Sequence, residues 1–311
     1  MKGMNVQMKI QFLNGGLANQ AFQYIFAKYY ELSHPGDIMY LDDSYFALNT
    51  VHNGYELGNV FGITPSFLSQ CFDEDVWNYI LEQKILGKSV PQILCENGID
   101  VYMISEVGDN YKNFNPFNGK VIPVPTNQYD PVILGAPGDV YYHGYWINKN
   151  WMYKYKNHFL KEFTFPAITD NKNKMYMERI LNSNSLSIHI RRGDYVHLGF
   201  ALNINYYKNI INHFKEKIKL MTDIENNIKN WDAFIFSDDI EWCKQNWKEL
   251  GLDTFGEIIY VEGNIKGKNY IDMQLMSQCK GMVMSNSAFC YLAALLNTRR
   301  KIIINGTNRE V

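Results

Sequence analysis

The chain has 311 residues, 46% hydrophobic and 20% charged, enough to bury a core and to make two domains of about 150 residues each. Its net charge of −2 argues against a nucleic-acid binder, which would carry a basic stripe. Cys71, Cys95, Cys243, Cys279 and Cys290 form no C-x-x-C pair, Met1 to Val6 has no apolar signal core, and no run of about 18 apolar residues occurs; a disulfide framework and a spanning helix are thus excluded, and a soluble, cytoplasmic protein with reduced thiols is expected.

Met8 to Leu13 reads as a first strand, Asn14 to Gln20 as a glycine turn, and Ala21 to Leu32 as a helix rich in aromatics. Strand, glycine turn and helix open a nucleotide-binding-like unit, and the helix N-terminus can hold an anion or a polar ligand. The turn is not a G-x-G-x-x-G, and an ordinary tight turn fits it as well. Ile38 to Leu41 is a second strand, ending at Asp42-Asp43. From Asn53 to about Asn127 the pattern is uneven: short helices over Pro65 to Cys71 and Asp75 to Leu86, then loops with Pro91, Pro116, Pro123 and Pro125. Val140 to Trp146 is a strand running into an aromatic loop, and Trp151 to Phe163 a helix. Thr164 to Lys174, with Pro166 and a polar run, is the linker.

The second half opens on Ser185 to Tyr195. Leu186, Ile188 and Ile190 alternate with Ser187, His189 and Arg191, so a buried strand delivers His189 and Arg191 on one side, about 7 Å apart. Gly193 breaks the strand and permits a tight turn. A guanidinium held there suits phosphate or carboxylate oxygens; a solvated turn with a local ion pair is the plainer reading. Ala233 to Phe236 is a buried strand ending at Ser237-Asp238-Asp239, followed by a helix from Ile240 to Leu250 that stops at Gly251. Glu257 to Glu262 is a strand, and a helix starts at Asn269. Met282 to Met284 is a strand ending at Ser285-Asn286-Ser287, Ala288 to Leu296 a helix, and Lys301 to Ile304 a last strand. This alternation implies right-handed βαβ units and a parallel sheet.

Three polar clusters thus end strands: Arg191 to Asp194, Ser237 to Asp239, and Ser285 to Ser287. Open parallel sheets bind ligands at those ends. Ser287 at a helix N-terminus suits a phosphate, and Asp238 or Asp239 can accept from a guanine edge or a ribose. Asp239 and Ser287 equally fit plain helix caps. Taken together, the three clusters and two arginines point to a nucleotide-diphosphate site.

His189-Ile190-Arg191-Arg192-Gly193-Asp194-Tyr195 resembles the signature of the α-1,2-fucosyltransferases, glycosyltransferase family 11. Gly15-Gly16-Leu17-Ala18-Asn19-Gln20-Ala21-Phe22-Gln23-Tyr24, Gly144-Tyr145-Trp146, Phe236-Ser237-Asp238-Asp239 with Trp242-Cys243-Lys244, and Asp272 to Cys279 followed by Asn286-Ser287 are similar to further family segments. The matches run in order from residue 8 to about 297. Ala18 and Ala21 replace a glycine and a methionine of the family pattern, and Ala288-Phe289-Cys290-Tyr291-Leu292 replaces its usual Ser-Phe-Ser-Trp-Trp.

The resemblance implies a GT-B-like α/β enzyme with two Rossmann-like domains facing a cleft: residues 8–165 on the acceptor side and residues 166–311 binding GDP-fucose. The reaction it implies is inverting and metal-independent, placing fucose on O2 of a terminal β-galactoside, in bacterial surface glycan synthesis. By carry-over, Arg191 holds the diphosphate and stabilises the leaving GDP, with His189 and Asp194 shaping that site and Asp194 a candidate catalytic residue. Ser237, Asp238 and Ser287 bind GDP, Asn19 lies near the sugar, and Tyr145 and Trp146 form an acceptor wall. No nucleic-acid partner is expected, and peripheral membrane association is compatible with this reading. Two rival readings are a metal-dependent GT-A transferase using Asp73-Glu74-Asp75, a triplet that also reads as the solvated start of a helix, and a non-catalytic carbohydrate- or nucleotide-sugar-binding protein, which leaves the arginine strand end unexplained.

Overall fold

The computed structural model describes residues 7–49, 53–107, 119–220, 227–300 and 302–306; the expectations on Met1 to Val6, Pro116 and Lys301 lie outside them. The chain divides into two units, Met1–Thr164 and Phe165–Val311.

The first unit runs β1 (Lys9–Phe12), α1 (Leu17–Ser33), β2 (Met39–Asp42), α2 (Ser44–Leu48), α3 (Glu56–Phe61), α4 (Glu74–Ile85), α5 (Val90–Glu96), β3 (Val101–Val107), β4 (Val121–Pro125), β5 (Asp139–His143), α6 (Lys149–Tyr153) and α7 (Lys156–Glu162). Its five strands form one parallel sheet in the order β2-β1-β5-β3-β4. Helix α1 starts four residues earlier than the periodicity suggests, because the Leu17 N–H is satisfied by Glu56 Oε2 at 3.0 Å. That contact is 39 residues away in sequence. Strands β3 and β4 stand where loops are expected. Pro123 and Pro125 hide β4, yet among the described residues β4 pairs only with β3, and an edge strand tolerates residues that cannot donate. Pro91 sits in the first turn of α5, where no backbone donor is needed. The helix expected over Trp151 to Phe163 is two short ones.

The second unit runs α8 (Asn171–Asn182), β6 (Asn184–Ile190), α9 (Gly193–His197), α10 (Ile204–Lys219), β7 (Trp231–Ser237), α11 (Ile240–Gln245), β8 (Ile258–Tyr260), α12 (Asn269–Met276), β9 (Gly281–Met284), α13 (Ala288–Leu296) and β10 (Ile302–Asn305). Its sheet is also parallel, ordered β10-β9-β6-β7-β8. From β6 the chain steps outward through β7 to β8, then crosses to β9 and β10, so the strand order reverses between β6 and β9. This is the Rossmann order, and that reversal is the switch point where ligands bind. Helix α8 begins inside the expected linker, capped by Asp170 Oδ1 on the Asn173 N–H at 2.9 Å. Helix α10, not foreseen, buries Tyr207, Ile210, Ile211, Phe214 and Ile218 at three- and four-residue spacing against Leu186, Ile188, Ile190 and Trp231. Helix α11 ends at Gln245, five residues short of the expected Leu250.

Trp146, expected in an acceptor wall, is 1% exposed. Its ring stacks on Phe26 at 4.3 Å, and its Nε1 donates to Gln11 Oε1 at 2.7 Å. The backbone turns it inward: Trp146 has φ +54°, a left-handed conformation that is costly for a bulky residue. Glu106 Oε2 holds the turn by accepting the N–H groups of Tyr145 and Trp146, at 2.8 and 3.0 Å. A Cβ on Gly144 would lie 2.7 Å from that carboxylate. An enclosed ring presents no face to a sugar, so Trp146 is a core residue. We expect Trp146→Ala to destabilise the first unit by about 3–5 kcal/mol, measured by urea denaturation; a loss under about 1 kcal/mol is inconsistent with this packing.

Candidate active site

The polar clusters expected at strand ends meet on one edge of the second sheet. Strand β6 is buried along Ser185 to Ile190, and Arg191 is the first residue beyond it that is not. The Arg191 N–H donates to Tyr207 Oη at 3.3 Å. Its Nη2 lies 2.6 Å from Asp194 Oδ1 and its Nη1 3.0 Å from Asp238 Oδ2. The Tyr195 ring lies 5.1 Å from its Cζ. Its Nε is buried with no hydrogen-bond partner among the described residues.

Asp238, at the end of β7, bridges the two arginines, because its Oδ1 accepts the Arg192 N–H at 2.8 Å. Gly193 makes room for this. A Cβ there would sit 2.5 Å from Asp238 Oδ2, so the glycine supplies close approach rather than the tight turn expected, and it opens α9. Asp239 Oδ1 caps α11 through the Trp242 N–H at 3.1 Å, and its Oδ2 lies 3.0 Å from Arg192 Nε. Ser237 Oγ accepts the Asp239 N–H at 3.0 Å.

Across the switch point, His189 Nδ1 and Ser285 Oγ share a 2.8 Å hydrogen bond. The Ser287 N–H donates to the same Oγ at 3.2 Å, and Ser287 Oγ caps α13 through the Phe289 N–H at 3.2 Å. The caps foreseen as alternatives at Asp239 and Ser287 are therefore both made. Phe289 stacks on the His189 ring at 5.8 Å. Burial pushes His189 down to about 3, and the Arg191 charge adds to the effect, so the imidazole is neutral near neutrality. Asp272 lies in the first turn of α12. Burial pushes its carboxyl up to about 7, partly offset by Asn264 Nδ2 donating at 2.6 Å. Tyr207 and Asn264 carry no sequence signal, because their partners Arg191, Asn173 and Asp272 lie on other elements.

In the first unit, Asn19 is half-buried in the first turn of α1, and Tyr145 is 37% exposed just past β5. At the N-terminus of α1, where an anion site and an ordinary tight turn both fit the sequence, the Leu17 N–H donates to Glu56 Oε2. Asp73, Glu74 and Asp75 are exposed at the start of α4, the solvated helix start of the plainer reading.

The family model for glycosyl transferase family 11 matches residues 120–310. The Escherichia coli alpha-1,2-colitosyltransferase is 30% identical over 293 residues, covering 91% of this chain and 86% of that protein. The chain belongs to glycosyl transferase family 11. The mouse galactoside alpha-(1,2)-fucosyltransferase 2 is 22% identical over 172 residues, 51% of this chain and 46% of that one. Among solved structures, a mutant of Arabidopsis thaliana FUT1 in complex with GDP aligns with a TM-score of 0.50 at 16% identity, covering 99% of this chain and 73% of its own. At that identity the likeness carries the fold alone, and the fold is GT-B-like. This family 11 chain is a glycosyltransferase, and no helix among its described residues is long and apolar enough to cross a membrane.

The buried histidine sets a pH dependence. In the unfolded chain it takes its proton near 6.5, whereas folded His189 resists it down to about 3. Between these values the unfolded state binds more protons, so the stability is complete above about pH 6.5 and is lost as the pH falls. His143, pushed down to about 4 by burial, acts in the same sense, and Asp272 in the opposite sense between 3.8 and about 7. Both remain in the His189→Asn variant. That variant should lose less stability than wild type between pH 6.5 and about 4, by on the order of 3 kcal/mol, measured by denaturation at both pH values. Equal losses are inconsistent with a neutral buried His189.

Proposed function

We propose that this family 11 enzyme is an inverting α-1,2-fucosyltransferase that moves L-fucose from GDP-fucose to O2 of a terminal β-galactoside, in the building of a surface glycan. The observation that carries the reading is Arg191, past the end of β6 at the switch point, with a buried Nε that has no partner among the described residues. The Arg191–Asp194 pair is a contact a diphosphate oxygen can replace, since the Asp194 side chain is 50% exposed and such pairs are worth about 0–1 kcal/mol. As the sugar–phosphate bond breaks, charge grows on the β-phosphate, and a fixed guanidinium stabilises it more in the transition state than in the ground state. Ser287, His189, Ser237 and Asp238 line the donor side. Asn19 and Tyr145 are proposed for the sugar and acceptor side, Tyr145 as an exposed aromatic face just past β5.

A related donor is the second reading, favoured by the colitosyltransferase likeness over most of the chain. Colitose is L-fucose without its 3-hydroxyl, so the same diphosphate site serves either sugar. Separate incubations with GDP-fucose and GDP-colitose, each with lactose and read by mass spectrometry, decide between them. Absence of product from both removes the α-1,2-galactoside reading.

The leaving diphosphate is served here by Arg191 and the N-terminus of α13 without a metal, so activity should persist in EDTA. A loss of most turnover that Mn²⁺ restores would overturn this. Arg191→Ala should lower kcat by roughly 10²–10³-fold, with GDP binding weakened less. Arg191→Lys keeps the charge but loses the fork and should stay badly impaired. Initial rates paired with calorimetry of GDP test both, and a folded Arg191→Ala that keeps more than about a tenth of kcat is incompatible with the role.

A further inference from the structure

The two consecutive arginines after β6 do different things. Arg191 faces the site. The Arg192 guanidinium lies over the Trp242 ring, its Cζ 4.1 Å from the centroid, and its Nε is 3.0 Å from Asp239 Oδ2. The Arg192 side chain is 19% exposed against 32% for Arg191. With its face on Trp242 and its Nε on Asp239, the Arg192 guanidinium is held against α11.

We infer that Arg192 is a positioning residue that aims Arg191 through Asp238. The links are all short. The held side chain of Arg192 fixes its own peptide, whose N–H donates to Asp238 Oδ1 at 2.8 Å. The other oxygen of Asp238 holds Arg191 Nη1 at 3.0 Å. The anchor is rigid for independent reasons. Asp239 is held by the cap on α11 and by its N–H on Ser237 Oγ, and Trp242 packs on the core. Losing the clamp frees the peptide between the arginines and lets the Arg191 fork drift from the direction Asp238 sets. A misplacement of about 1 Å at a reacting centre costs on the order of 10²-fold in rate.

This inference rests on the proposed diphosphate role of Arg191, and the experiment separates the two. Initial rates and GDP calorimetry are measured for Arg192→Ala, Arg192→Lys, Arg191→Ala and the double alanine variant. Arg192→Ala should lower kcat by roughly 10–10²-fold while changing GDP affinity by less than about threefold. Arg192→Lys, which keeps a cation over Trp242 but not the fork, should fall between. In the Arg191→Ala background, Arg192→Ala should add less than about threefold, because residues acting as a unit are not additive. Asp239→Asn retains a helix cap and removes the charge beside Arg192. Its smaller kcat loss should likewise vanish in that background, which keeps the test open if Arg192→Ala does not fold. Losses that multiply in the double variants mean that Arg192 works independently of Arg191 and overturn the inference. An impaired Arg191→Ala beside an unimpaired Arg192→Ala overturns it alone, whereas an unimpaired Arg191→Ala overturns the diphosphate reading and this inference with it.

Discussion

A parallel strand covered on both faces can offer a polar side chain to a ligand only where it ends. Both sheets here are parallel throughout, and β6 and β7 are buried along nearly their whole length. The chemistry is therefore confined to the residues just past them: Arg191 to Asp194 after β6, and Asp238 and Asp239 after β7. His189 is the one polar group still inside β6 that reaches this edge. It remains neutral there because burial and the neighbouring guanidinium both oppose its protonation.

The two units use the same edge in opposite electrostatic ways. In the first, the chain's own carboxylates fill the places where an anion would sit. Glu56 accepts the first N–H of α1, and Glu106 accepts three N–H groups, from Asn127, Tyr145 and Trp146. Helix N-termini and turns with converging N–H groups attract negative charge, and here that attraction is met internally. In the second unit two arginines occupy the edge, balanced by Asp194, Asp238 and Asp239. A diphosphate suits the second unit, where an exposed ion pair can be exchanged.

Asp238 joins these observations, since one carboxylate sets the direction of one arginine and the peptide of the next. Gly193 is required because any side chain there would occupy that carboxylate's space. A signature of Arg-Arg-Gly-Asp is thus a packing requirement as much as a set of ligand groups.

The alternation of buried strands and helices was legible along the second half, because a strand buried on both faces is a continuous apolar run between turn signals, as Ala233 to Phe236 and Met282 to Met284 are. The strand-end residues His189, Arg191, Asp194, Ser237, Asp238 and Ser287 were legible for the same reason, and the structure brings them to one edge. Strand β4 was not, since its two prolines are acceptable only at an edge and edge position is a property of the sheet. Neither was the fate of Trp146, whose burial depends on Phe26, Gln11 and Glu106, all distant in sequence. Local pattern determines which residues stop being strand or helix. That Arg192 lies on Trp242 and Asp239 was decided by contacts roughly fifty residues away, because only the folded chain brings those partners within range.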